Sequence, residues 1–482
     1  MKKMVVLMNQ IKKNYLYNVT YQILSLLVPL VTIPYVSRVL GANGVGIYSY
    51  TYSIAYYFVL FTQLGIENYG NRTIAKTRNN KKEMSKEFLS IVSIQMFLSV
   101  VMAILYLIYC LFISNNDRTI SLLQTIYIVS AGINISWFFF GLEKFKITVI
   151  RNALVKLLSL LLILLFVKNE TDVWIYTLIL ALSSLISQLY LIPYLRKEIV
   201  LVRFTFNDIK KQIRPILILF IPILSISLYK IMDKIMLGII TTVSDVGYYE
   251  QAEKIINVPI TIISALGTVM LPQASNLIAI NQIHKVKEYI YKSFEFIMFL
   301  AFPMVFGLIT ISDEFVPLFL GDSFIQSANI IKYLSITILI ISFANVIRKQ
   351  FLIPMEYDKI FVLSVSLGAV MNLVLNFILI PCLKSDGAAI ATIVAELTVM
   401  VIQVLSVRKE LDFKRVFNST KRFVLYSMFM FIMVSLLDFL SLSNFVNVLL
   451  KAIIGVIIYS LLNLKYIFKI LHIKTKGGVK NV

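Results

Sequence analysis

The feature that most limits this chain is a recurring apolar stretch of about 20 residues, the length an α-helix needs to cross a bilayer. Fourteen such stretches can be marked. They lie near 15–38, 46–66, 88–113, 119–141, 148–167, 172–195, 214–238, 248–278, 289–311, 326–347, 360–382, 387–407, 421–441 and 444–468. The bilayer core offers no water to backbone amides, so each stretch must bond within itself, as a helix does. The expected fold is an all-α polytopic membrane protein with about 14 transmembrane helices. Pro29, Pro34, Pro222 and Pro259 fall inside these stretches and are expected to mark kinks. The first stretch exceeds the apolar core of a cleaved signal peptide, about 7–15 residues, and is read as a retained span.

Composition agrees. Of 482 residues 59% are hydrophobic, against about 45–50% in a soluble domain. The formal net charge is +21. In a soluble domain that excess would suggest nucleic acid. Here its distribution gives another reason, because lysine and arginine hold loops on the cytoplasmic side. With the N-terminus inside, the inside segments carry 37 Lys or Arg, and the outside loops carry only Arg118, Lys168 and Lys384. The expected location is a membrane crossed many times, with both termini cytoplasmic and no nucleic-acid partner. Cys110 and Cys382 stand in apolar surroundings, and His284 and His472 in basic segments. Neither pair suggests a disulfide framework or a metal site. No Walker motif, nucleophile elbow or paired carboxylates stand out, and the outer loops are short. The expectation is a protein that is not an enzyme and has no metal or cofactor.

The chain repeats itself. GLEKFKI (141–147) and PMEYDKI (354–360) both read Glu-x-x-Lys-Ile, 213 residues apart; LRKE (195–198) and VRKE (407–410) lie 212 apart. The glycine-rich turn Gly41 to Gly46 is echoed at Gly238 to Gly247. Three matches in register suggest two six-helix lobes related by a pseudo-two-fold axis along the membrane normal, plus two C-terminal helices. The expected domains are an N-terminal lobe at 1–198, a cytoplasmic linker at 199–213, a C-terminal lobe at 214–410, and a C-terminal pair of helices with a tail at 411–482.

Charges inside spans are costly and default to a functional hypothesis. Arg38 closes the first span. Lys230, Asp233 and Lys234 share one helix face at i, i+3 and i+4, and Glu250, Glu253 and Lys254 repeat that spacing at the start of the eighth span. Counting back from the turn sets Lys234 level with Glu250, and Lys230 level with Glu253. Two readings stand side by side: mutual neutralisation that locks a hairpin, and a cationic cavity lining that holds a phosphate-linked ligand. Arg38 also has the alternative of snorkelling to outer headgroups. Glu396, mid-span, is either a protonatable coupling site or a helix–helix hydrogen bond. Tyr35, Tyr48, Tyr50, Tyr52, Tyr56 and Tyr57 read as an interfacial belt or as sugar-stacking rings.

The stretch Asn18 to Ala75, with its order Pro-Tyr, Ser-Arg-x-Leu-Gly, Gly-x-Tyr-Ser, Leu-Gly-Ile, Tyr-Gly, resembles the start of Wzx-type polysaccharide flippases of the multidrug/oligosaccharidyl-lipid/polysaccharide exporter superfamily. The stretch Asp233 to Ile255 resembles the same family's second half. The resemblance implies a flippase that moves undecaprenyl-diphosphate-linked oligosaccharide repeat units to the outer leaflet by alternating access, coupled to an H+ or Na+ gradient. It sets Arg38 in the family's first motif and Lys230, Asp233 and Lys234 in its second-half motif, where some of them are expected to contact the diphosphate or to couple to the ion; Lys254 as a further cavity cation, and Glu250, Glu253 and Glu396 as coupling or ion-pairing carboxylates, are expected from the charge pattern alone. Its implied partners are the lipid-linked oligosaccharide, the bilayer, and the polymerase and glycosyltransferases of the same pathway. Alternatives are a lipid II or multidrug exporter of the superfamily, and a membrane-embedded polysaccharide polymerase.

Overall fold

The structure is a computed structural model that describes the backbone of residues 2–113, 117–440 and 442–476. Side chains of residues 1–24, 26, 229, 266, 268, 269, 272 and 471–482 are outside the described set, and so are residues 114–116 and 441. The basic start, His472 and the tail that enter the inside charge count therefore lie outside the described residues.

Sixteen α-helices follow one another: α1 (Lys2–Gln63), α2 (Ile66–Thr77), α3 (Lys81–Phe112), α4 (Arg118–Gly132), α5 (Ser136–Gly141), α6 (Phe145–Phe166), α7 (Val173–Leu189), α8 (Ile192–Glu198), α9 (Phe206–Ile240), α10 (Val243–Ala279), α11 (Ile283–Phe319), α12 (Ser327–Ile347), α13 (Asp358–Val407), α14 (Phe413–Ser435), α15 (Asn444–Leu462) and α16 (Leu464–Lys476). No strand occurs among the described residues. Among the described residues, eleven helical stretches are long and apolar enough to cross a membrane, where the sequence pattern predicts fourteen. Two of the eleven each hold two predicted spans. α1 is broken at Gly41 (φ 65, ψ 179) and α13 at Lys384 (φ 51, ψ −130). The Gly41 backbone is one that a side chain would strain, which explains the glycine there. α10, whose side chains are described in part, stands outside the eleven.

Within the predicted linker, 199–213, helix begins at Phe206. A capping box at Thr205, whose backbone amide and hydroxyl both donate to Asp208 Oδ2 at 2.8 Å, starts α9 at Phe206. The chain divides into two compact units, residues 1–250 and 251–482, with the division inside α10.

In the first unit, the second half of α1 runs antiparallel to α9. Tyr57 donates to the Ser227 carbonyl at 3.3 Å, and the Phe61 and Phe220 rings lie 5.4 Å apart. Past the end of α1, a Cβ on Gly65 would stand 2.3 Å from the Ile216 carbonyl oxygen. At the other end the two glycine turns meet. A Cβ on Gly46 would fall 1.7 Å from the Val243 carbonyl oxygen, and one on Gly247 2.1 Å from the Ala42 carbonyl oxygen. The contact is reciprocal: each virtual Cβ lies 3.2 Å from the other glycine's amide nitrogen. Only glycine permits that approach. A buried cluster of Ile66, Ile74, Phe88, Ile91, Trp137 and Phe138 packs beneath α2, α3 and α5.

In the second unit α11 is the hub, packed by α12, α14 and α15. Lys451 of α15 is 1% exposed at its side chain. Its Nζ lies 2.6 Å from Glu314 Oε1 of α11 and 2.6 Å from Asp438 Oδ1. Asn447 donates to the same two carboxylates at 3.0 and 3.3 Å.

The Glu-x-x-Lys-Ile repeat also appears in the backbone. Glu143 and Glu356 both adopt φ 59. Their amides bond three residues back, to Phe140 and Ile353. The next amides, Lys144 and Tyr357, bond five back, to Phe139 and Leu352. This pairing of bonds around a left-handed residue closes a helix in the Schellman manner.

Candidate functional site

The polar hairpin of α9 and α10 carries most of the site residues expected from sequence. α9 stays helical through Lys230 to Ile240, and Gly238 in that run leaves room for the Tyr50 ring, 2.1 Å from where its Cβ would stand. α10 starts where the Thr242 hydroxyl donates to Asp245 Oδ2 at 2.7 Å. The turn returns the chain so that Lys234 and Glu250 face each other, with Nζ 2.8 Å from Oε2 and side chains 10% and 14% exposed. Ser49, from the second half of α1, donates to the same Oε2 at 2.8 Å. One residue along each helix, Tyr249 donates to Asp233 Oδ2 at 2.8 Å. Asp233 is 1% exposed.

An aromatic wall adjoins the pair. Tyr48 stacks on Tyr52 at 5.7 Å, Tyr52 meets Tyr127 edge-on at 5.0 Å, and Tyr48 meets Tyr176 edge-on at 4.9 Å. The Tyr48 and Tyr127 hydroxyls are 3.0 Å apart. Lys234 interacts electrostatically with Tyr52 and Tyr56. Tyr48, Tyr52, Tyr127 and Tyr176 are packed on one another, which a purely interfacial belt does not require.

The other expected residues are placed differently. Arg38 is exposed, three residues before the Gly41 break, and Lys230 is exposed on α9. Glu253 and Lys254 are half-buried on α10, and Glu396 is half-buried in the second half of α13.

Three cations escaped the sequence reading as site residues. Arg151, 5% exposed, donates to Ser136 Oγ at 3.0 Å, Gln188 Oε1 at 3.4 Å and Asn152 Oδ1 at 2.7 Å. It falls inside the predicted span 148–167, so the signal was present. Arg348 and Lys349 follow directly on the predicted span 326–347, where the apolar pattern ends. Instead α12 continues through them as a π-helical turn, Arg348–Leu352, with Gln350, Phe351 and Leu352 buried. No pattern of apolar spacing marks such a turn.

A family model described as a polysaccharide biosynthesis protein matches residues 11–278, more than half of the chain.

The chain belongs to this family. Among polysaccharide biosynthesis proteins, it has relatives named as putative transporters over most of its length. The putative O-antigen transporter of Escherichia coli (strain K12) is 23% identical over 402 residues, covering 83% of this chain and 97% of the relative. The probable low-salt glycan biosynthesis flippase Agl15 of Haloferax volcanii is 29% identical over 164 residues, 34% of each chain. Among solved structures, the lipid II flippase MurJ in an inward closed conformation aligns over 95% of this chain and 100% of its own, with TM-score 0.79 and 15% identity. An inward-facing MATE family multidrug transporter aligns over 82% of this chain and 96% of its own, with TM-score 0.61 and 12% identity. At such identities the likeness establishes the fold alone, an all-α bundle.

Proposed function

We propose that this polysaccharide biosynthesis protein is a flippase for lipid-linked oligosaccharide repeat units. It carries the undecaprenyl-diphosphate-linked unit from the cytoplasmic to the outer leaflet of the plasma membrane by alternating access, for capsule, exopolysaccharide or cell-wall polymer synthesis. Two relatives aligned over four-fifths of its length are named as putative O-antigen transporters.

The observation that carries the reading is the buried Lys234–Glu250–Ser49 cluster. A charge pair inside a span is expensive unless it serves a purpose. An ammonium offers three donors, and a diphosphate is a stronger partner than one carboxylate. When the diphosphate enters, Lys234 exchanges Glu250 for it, and Glu250 is left to take a proton or a sodium ion. That exchange gives a physical basis for coupling to an H+ or Na+ gradient. Arg38, Lys230 and Lys254 supply further positive charge, and Asp233, Glu253 and Glu396 the remaining ion-pairing or coupling carboxylates. The neighbouring tyrosines suit sugar stacking. A drug exporter has no need of such a cation.

Both termini lie in the cytoplasm, and glycosyltransferases and a polymerase of the same pathway act before and after the flip. Deleting the gene tests the reading: lipid-linked repeat units accumulate on the cytoplasmic leaflet. Normal surface polymer in a deletion strain without a redundant transporter would refute it.

A further inference from the structure

The π-helical turn at the end of α12 sets two cations side by side. Lys349 lays its stem over Gly267 of α10, where a Cβ would be 3.0 Å from its Cδ. Its Nζ donates to the Ser264 carbonyl at 3.3 Å. Asn345 donates to Ser264 Oγ at 2.9 Å, and Arg348 donates to Asn345 Oδ1. The Arg348 guanidinium also lies over the Phe361 ring, 5.6 Å from its centre. The carboxylates that follow, Glu356 and Asp358, are exposed, and among the described residues neither pairs with Arg348. Two adjacent cations repel one another. Beside them Gln350 is 1% exposed, with neither amide atom hydrogen-bonded. The positions 213 residues earlier hold Ile135, Ser136 and Trp137, so the repeated helix ending forms without charge. π-turns of this kind concentrate at functional sites.

We propose that Arg348 and Lys349 form a phosphate-binding point of the second unit, which takes the diphosphate of the lipid-linked substrate. The proposal rests on the flippase reading. Arg348 supplies a planar fork and Lys349 a point charge, the two donor types that suit phosphate oxygens. Gln350 supplies an amide donor in the same turn.

The test is binding to the full-length protein in nanodiscs, measured by native mass spectrometry with two probes, inorganic pyrophosphate and a short-chain polyprenyl diphosphate. Wild type binds the polyprenyl diphosphate. Arg348→Gln and Lys349→Gln each weaken it about tenfold, while Lys359→Gln, an exposed cation of the next turn, leaves it unchanged. Arg348→Lys, which keeps the charge, folds and binds at an intermediate level, and it decides the matter if Arg348→Gln does not insert. Pyrophosphate binding lost in the same variants assigns the site to the diphosphate itself, and pyrophosphate that never binds assigns it to the lipid-borne group. Equal affinity in wild type and all four variants overturns this inference alone. A wild type that binds no polyprenyl diphosphate overturns the flippase reading with it.

Discussion

Lys234 Nζ sits 2.8 Å from Glu250 Oε2, and that same oxygen accepts the Ser49 hydroxyl at 2.8 Å. Three helical segments of the first unit thus converge on one carboxylate. Removing one member of a buried pair leaves the other charge uncompensated, at a cost of about 3–5 kcal/mol. Lys234→Met is expected to lower the unfolding temperature of the purified protein. The double variant Lys234→Met/Glu250→Gln is expected to recover most of that stability and still fail to export polymer. Recovered export in the double variant would make the pair purely structural.

The glycine contact separates two kinds of glycine. Gly46→Ala places a methyl 1.7 Å from the Val243 carbonyl oxygen, an overpacking expected to cost roughly 1–3 kcal/mol or more. Gly307 of α11 has nothing within 4 Å of its virtual Cβ, so Gly307→Ala is expected to be neutral or to stabilise by about 0.5–1 kcal/mol. Thermal unfolding of the two variants side by side checks the contrast.

Lys451 joins α15 to α11 through Glu314 and to the end of the preceding helix through Asp438. Lys451→Met removes the only cation that faces those two carboxylates among the described residues. We expect the α14–α15 pair to loosen from α11, seen as a lower unfolding temperature and as faster exchange of amides in α14. Glu314→Gln/Asp438→Asn in the same background is expected to restore both.

Cys382 is exposed and Cys110 buried. With the termini inside, Cys382 stands at the outer turn beside Lys384. A membrane-impermeant maleimide added to intact cells is expected to label Cys382 and not Cys110. Labelling of Cys382 only after the membrane is opened would invert the proposed orientation.

Helix positions were legible because a span must be apolar for about 20 residues, and that demand is written along the chain itself. The two glycine turns were visible as an echo, Gly41 to Gly46 and Gly238 to Gly247. Their packing against each other was not, since contact between residues two hundred apart leaves no local mark. Lys234 and Glu250 were readable as level because they flank one turn. The partners of Lys451 lie 137 and 13 residues away, and no spacing rule reaches Glu314. The helix past Ile347 was not legible because a pattern reading ends a span at its first charges, Arg348 and Lys349, whereas a π-turn keeps the helix going to Leu352.

The most direct measurement is sidedness in reconstituted vesicles. Purified protein is placed in liposomes holding a fluorescent polyprenyl-diphosphate oligosaccharide in the inner leaflet, under an imposed proton or sodium gradient. The lipid is scored by an impermeant quencher. The account predicts transfer to the outer leaflet with wild type, slowed at least tenfold by Lys234→Met/Glu250→Gln. Wild-type transfer no faster than in protein-free vesicles, under either gradient, would contradict it.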